Sequence, residues 1–146
     1  MRKILTAIDF SDSADEVLRV AREELKLLGG EMLLVHVEAP QPDFVGYEPG
    51  PQSVRDSVAG EIREDHRRLI ALEKQLQEEG LKVSARLLQG PTAGKIAEEA
   101  RRCGADLLIL GTHGHGAMYH LLLGSVSESV LRQTPCPVLL VPSPKK

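Results

Sequence analysis

The sequence predicts a three-layer α/β/α sandwich, a five-stranded, doubly wound parallel sheet covered by helices on both faces. Three observations predict it. Short, nearly continuous apolar runs recur along the chain, of the kind a strand buried on both faces shows. Longer stretches between them carry apolar residues at helical spacing. Glycine or proline stands at most of the changes from one pattern to the other. The resulting order is βαβαβαβαβ over 146 residues, with no internal repeat or low-complexity tract. That length is the size of one domain.

The elements follow in order. Ile4 to Ile8 is the first strand. Ala14, Val17, Leu18, Ala21, Leu25 and Leu28 form one inward stripe of a helix, which Ser11 or Ser13 can cap and Gly29-Gly30 ends. Met32 to Val37 is the second strand. From Ala39 to about Gln52, Pro40, Pro42, Gly46, Pro49, Gly50 and Pro51 exclude helix and strand. A connection of that length in a compact domain is expected to be flexible or functional. A helix from about Ser53 or Ser57 to Glu79 is striped by Val58, Ile62, Leu69, Leu72 and Leu76. Lys82 to Leu88 is the third strand, and Pro91-Thr92 opens a helix that Gly104 stops. Leu107 to Leu110 is the fourth strand, Ser125 to Gln133 a helix and Val138 to Val141 the fifth strand. Right-handed crossovers between such parallel strands give a Rossmann-like or flavodoxin-like sheet.

Composition narrows the partners. Lys and Arg number 18 against 21 Asp and Glu, a net charge of −3. Polyanion binders rest on clustered cationic contacts to phosphates, so no nucleic-acid partner is expected. The four aromatic residues, Phe10, Phe44, Tyr47 and Tyr119, give almost nothing on which to stack exposed bases. Cys103 and Cys136 stand far apart with no CxxC motif, as two thiols in a reducing compartment would. The run after Met1-Arg2-Lys3 meets Asp9 too soon for a signal peptide or a membrane span. The expected location is the cytoplasm.

A doubly wound sheet places ligands at the carboxyl ends of its strands, where the strand order switches. Two segments compete for that position: Asp9-Phe10-Ser11, and the run from Gly111 to Ser125. The second contains Gly111, Gly114, Gly116 and Gly124. Glycines admit a ligand close to the backbone, and successive N–H groups can form an anion nest. Gly124-Ser125 then opens a helix whose free N–H groups and dipole favour a phosphate. The plainer reading is a glycine-rich turn followed by an N-cap serine, and on composition alone the two are evenly matched. Two better-known phosphate motifs fail. Gly90-Pro91-Thr92-Ala93-Gly94-Lys95-Ile96 has three residues before its Gly-Lys and ends in Ile, where the P-loop needs four and then Ser or Thr. No GxGxxG follows the first strand.

The spacing Gly111-x2-Gly114-x9-Gly124-Ser125 matches in full the G-x2-G-x9-G-(S/T) nucleotide signature of the universal stress protein family, which the chain resembles. Ile4-Leu5, Ala7-Ile8-Asp9-Phe10-Ser11, Leu34-Val35-His36-Val37, the Asp106–Gly114 segment and Pro135-Cys136-Pro137-Val138 agree in the same order. The resemblance implies strand order 3-2-1-4-5, the ATP-binding branch of the family, and a homodimer formed through the C-terminal strand region. It implies ATP as the ligand, with Mg or Mn as a candidate accompanying ion. It further implies that Asp9 contacts the ribose or adenine side and that Val37, Ala7 and Leu110 line the adenine pocket. Gly111 and Gly114 would let the loop wrap the sugar and phosphates, and Gly124, Ser125 and Val126 would hold the phosphates. Ala7 stands where many members have Pro. His115 stands where many have Arg or Lys, so a fixed cation near the phosphates is missing. Affinity is then expected to be weaker, or to follow pH, since an unperturbed histidine titrates near ~6.5.

Other residues read as structural. His113, His115 and His120 share a segment without nearby Cys or acid, so no metal site is expected there. His36 and His66 read as packed or partly exposed histidines. Glu61, Glu64, Asp65, Glu73, Glu78 and Glu79 read as a solvated helix face. The expected function is a nucleotide-dependent conformational switch or dimeric interaction module in stress response, able to engage a protein partner and carrying no catalytic residue. The alternatives are a slow ATPase or nucleotidyl-transfer enzyme using the same pocket, for which no general base or magnesium-binding pair is evident, and a nucleotide-free dimeric module.

Overall fold

Helices pack on both faces of a five-stranded parallel sheet of order β3-β2-β1-β4-β5. The computed structural model describes residues 2–11, 13–38, 52–112 and 124–142, the side chains of 52–59 and 61 excepted. The expected loop at 39–51 lies outside the described residues.

The strands are β1 (Lys3–Ala7), β2 (Glu31–Glu38), β3 (Val83–Gln89), β4 (Leu107–Gly111) and β5 (Val138–Val141). The helices are α1 (Ala14–Leu28), α2 (Gln52–Glu78), α3 (Thr92–Cys103) and α4 (Ser125–Gln133). The element order, the sheet and the strand order are as the sequence predicts. Strand ends move by one residue where pairing, rather than apolarity, sets them. Gln89 closes β3 because it pairs with Glu38, and Lys3 opens β1 because it pairs with Glu31.

Alternation along each strand sorts the core into two layers. Ile4, Ile8, Met32, Leu34, Val83 and Ile109 pack with Val17 and Leu18 of α1 and Leu69 and Leu76 of α2. Leu5, Val35, Val37, Leu108 and Leu110 pack with Ile96 and Ala100 of α3 and Val130 of α4. Polar groups inside are paired. The Thr6 hydroxyl donates to the Met32 sulfur at 3.0 Å. Glu99, 4% exposed, accepts from Arg86 at 3.0 Å and Arg102 at 2.7 Å.

Helix ends follow local chemistry. Ser13 is the N-cap of α1, one of the two serines expected there, but its hydroxyl is 2.9 Å from that of Ser11 and does not fold back onto the helix. Gly104 ends α3 in the left-handed conformation, φ 67° and ψ 45°. Among the described residues no helix is long and apolar enough to cross a membrane.

Candidate functional site

The carboxyl ends of β1 and β4 lie side by side, since Thr6 pairs with Ile109. From β1 the chain winds toward β2 on one side, and from β4 toward β5 on the other. This is the switch point at which doubly wound sheets bind ligands.

Ala7 ends β1, Val37 is the last residue but one of β2, and Leu110 and Gly111 end β4. Ala7, Val37 and Leu110 belong to one apolar cluster on the α3/α4 face. They form an aliphatic wall at the strand ends. Asp9 is exposed two residues beyond β1, and its Oδ1 accepts the Ser11 backbone N–H at 3.0 Å. That bond makes a tight Asx turn, with Phe10 at its centre at φ 57°.

The glycine segment rises from a closed stem. The backbone N–H of Gly124 donates to the Thr112 carbonyl at 2.8 Å, and that of Thr112 donates to Val141 at 3.0 Å. Ser127, 3% exposed in the first turn of α4, donates its hydroxyl to Gly111 O at 2.8 Å and Thr112 O at 3.1 Å. The N-terminus of α4 is thereby held against the end of β4. Gly124 is the N-cap in extended backbone, φ −61° and ψ 155°. The N–H of Gly124 is committed to Thr112, which narrows its expected role: the N–H groups that a helix start leaves without intrahelical partners begin at Ser125 and Val126, and both residues are exposed. Gly114 and His115, like His113 and His120, lie outside the described residues.

The family model for the universal stress protein family matches residues 1–142. The chain belongs to the universal stress protein family. A universal stress protein of Thermus aquaticus is 35% identical over 142 residues, covering 96% of this chain and 98% of the relative. The solved structure of MJ0577, a universal stress protein of Methanocaldococcus jannaschii, superposes with a TM-score of 0.84 at 27% identity, covering 99% of this chain and 98% of that one. An Archaeoglobus fulgidus universal stress protein solved in complex with dAMP superposes at 0.67 with 22% identity, covering 96% and 97%. A universal stress protein solved in complex with cAMP superposes at 0.70 with 21% identity, covering 98% of each chain. At those identities the last two show a shared fold.

Several residues that shape this end of the universal stress protein domain escape a reading from sequence. Ser127 ties the helix to the strand, yet a serine in a first helical turn reads only as a weak cap. Phe10 takes a left-handed backbone that nothing in its residue type signals. His36 and Glu38 stand two apart on β2 and therefore share a face. Asp65 on α2 joins them, with its Oδ2 3.5 Å from His36 Nε2. Here the solvated-face reading of Asp65 is corrected: its side chain is 22% exposed. The spacing Asp65, Leu69, Leu72, Leu76 puts it on the inward stripe of α2.

Proposed function

We propose that the chain binds an adenine nucleotide, ATP above all, at the carboxyl ends of β1, β2 and β4, and serves as a nucleotide-dependent switch or dimeric interaction module. One observation carries the reading: the stem formed by Thr112, Gly124 and Ser127 fixes the N-terminus of α4 beside Gly111. The first-turn N–H groups and dipole of α4 then face the site as an anion-binding end. Ala7, Val37 and Leu110 supply an aliphatic surface for adenine, and Asp9 supplies a carboxylate for the ribose hydroxyls. Gly114 and His115 complete the phosphate side in this reading, with Mg or Mn as the accompanying ion. Relatives solved with dAMP and cAMP support an adenine nucleotide as the ligand class.

The reading includes a homodimer formed through the region of β5, an edge strand of the sheet whose Val138, Leu139 and Leu140 are half-buried. It includes a cytoplasmic location, with Cys103 and Cys136 as free thiols.

Calorimetric titration with ATP, ADP and AMP tests the central claim, with native mass spectrometry of the freshly purified protein beside it. Saturable binding of one nucleotide per chain is expected. No binding at millimolar ATP overturns the reading. Light scattering tests the dimer. A turnover assay with Mg²⁺ and Mn²⁺ separates retention of nucleotide, expected here, from the sustained hydrolysis an enzyme would show.

A further inference from the structure

A second group of chemistry-bearing side chains stands at the end of β2, on the α1/α2 face. This is the side of the sheet away from the wall of Ala7, Val37 and Leu110. His36 is 7% exposed there. Its Nδ1 lies 2.7 Å from the Ile8 carbonyl oxygen. That oxygen can only accept, so Nδ1 carries the proton, and in the neutral ring Nε2 presents a lone pair. Nε2 faces two carboxylates, 3.1 Å from Glu38 Oε1 and 3.5 Å from Asp65 Oδ2. A lone pair and two carboxylate oxygens this close repel one another unless a proton or a metal ion lies among them.

Among the described residues no Lys or Arg fills that role, which leaves a proton on His36 Nε2 or a metal ion. Arg68 reaches the other oxygen of Asp65, at 3.9 Å from Oδ1, and its guanidinium lies 5.6 Å from the Phe10 ring centroid. Among the described residues no Lys or Arg forms an ion pair with Glu38. Burial pushes the Glu38 carboxyl above its ordinary range, and a hydrogen bond with Asp65 adds to the rise, while His36 opposes it when protonated.

We propose that His36 Nε2, Glu38 and Asp65 form a binding site for a divalent transition-metal ion, zinc foremost. The three donor atoms lie within 4.8 Å of one another. Ligands at about 2.0–2.1 Å from a tetrahedral zinc stand about 3.3–3.4 Å apart, close to the two short separations here. A histidine whose other ring N–H is held by a backbone carbonyl has the orientation and tautomer that metal-ligating histidines use. One imidazole with two carboxylates suits zinc and its neighbours, whereas calcium and magnesium take oxygen ligands. The fourth position is left to water. The Phe10 ring packs 4.8 Å from the imidazole, centroid to centroid, and holds that side of the ligand in place. The site does not depend on nucleotide binding, since its donors lie on the other face of the sheet.

The test uses nucleotide-free full-length protein stripped with chelator. Calorimetry with Zn²⁺ is expected to show one saturable site. The imidazole nitrogen spectrum is expected to show His36 Nε2 shifting with the first equivalent. Glu38→Gln and Asp65→Asn should each weaken zinc binding by at least the about 10–100-fold that loss of a supporting partner costs a metal site. A variant with His113, His115 and His120 all changed to Ala should keep the site. The proposal is overturned if the His36 nitrogens in the unaltered protein ignore zinc. It is equally overturned if both carboxylate variants bind zinc as the parent does. A cluster held together by a proton alone gives those results. The spectrum of the unaltered protein decides the matter even if a variant fails to fold.

Discussion

The hydroxyl of Ser127 donates to the carbonyl of Gly111 at 2.8 Å, joining the first turn of α4 to the last residue of β4. A second acceptor, Thr112 O, lies 3.1 Å from the same oxygen. One buried side chain thus orients the helix whose start is proposed to face the phosphates.

Ser127→Ala removes that donor and leaves the Gly111 carbonyl short of a partner. An unsatisfied group of this kind costs about 1–2 kcal/mol. A matching loss of stability is expected in urea unfolding, together with weaker nucleotide binding by calorimetry. A variant as stable as the parent would remove Ser127 from this role.

Gly124→Val tests the phosphate end without disturbing the backbone. Gly124 has φ −61° and ψ 155°, which any L-residue adopts. The fold should survive, while a branched side chain at the helix start obstructs the phosphates. Nucleotide affinity should fall at least about tenfold, or ~1.4 kcal/mol. Circular dichroism checks the fold and calorimetry the affinity.

Two neighbouring glycines should respond differently to alanine. A Cβ on Gly30, at φ 107°, would come 2.1 Å from the Arg2 carbonyl oxygen. Gly30 lies where the chain enters β2, and Glu31 N–H donates to that same oxygen at 2.9 Å. Clash and backbone strain together should cost about 3 kcal/mol or more. Gly29, at φ 69°, has nothing within 4 Å of its Cβ position. There only the backbone, φ 69° with ψ 171° in a region essentially reserved for glycine, penalises alanine, by about 1–3 kcal/mol. Urea midpoints of Gly30→Ala and Gly29→Ala give the ranking.

Glu38 links stability to pH. Its carboxyl titrates above the ordinary 4.5 in the folded protein, chiefly through burial. A raised folded value means the native state holds the proton more tightly than the unfolded chain. The resulting stability is fully present below the unfolded value and is lost as pH rises through the folded one. In metal-free buffer, Glu38→Gln should therefore gain on the parent as pH rises above about 4.5, the ordinary value. The difference should shrink again in acid. Urea unfolding of both proteins across that range gives the profile, and a flat difference would refute it.

The fold was legible because pattern and packing agree. The apolar run at 108–110 is buried, and the stripe of α1 buries Ala14, Val17, Leu18, Ala21 and Leu25 as its periodicity requires. Leu28, expected on that stripe, is 43% exposed at the last turn. Of the residues proposed for the nucleotide side, Ala7, Val37 and Leu110 meet in one cluster because each stands at a strand end. The stem was not legible. Ser127 acts through carbonyls whose positions depend on how β4 and α4 meet, which local sequence does not encode. The cluster at His36 was hidden for another reason. Asp65 was read by its charge as solvated, although its place in the Leu69, Leu72, Leu76 stripe turned it inward. His36 reads as an ordinary packed residue until Glu38 and Asp65 are seen beside it.

The bond between Thr112 and Gly124 has one more consequence. The chain leaves the sheet at Thr112 and returns at Gly124 with the two residues already joined at 2.8 Å. The contacts that join β4 to α4 are thus made by residues on either side of 113–123. Lengthening such an excursion costs only about 0.6 kcal/mol per doubling in closure entropy. An insertion between the two residues is therefore expected to spare the register of the sheet and to act on the proposed phosphate side, where Gly114 and His115 stand.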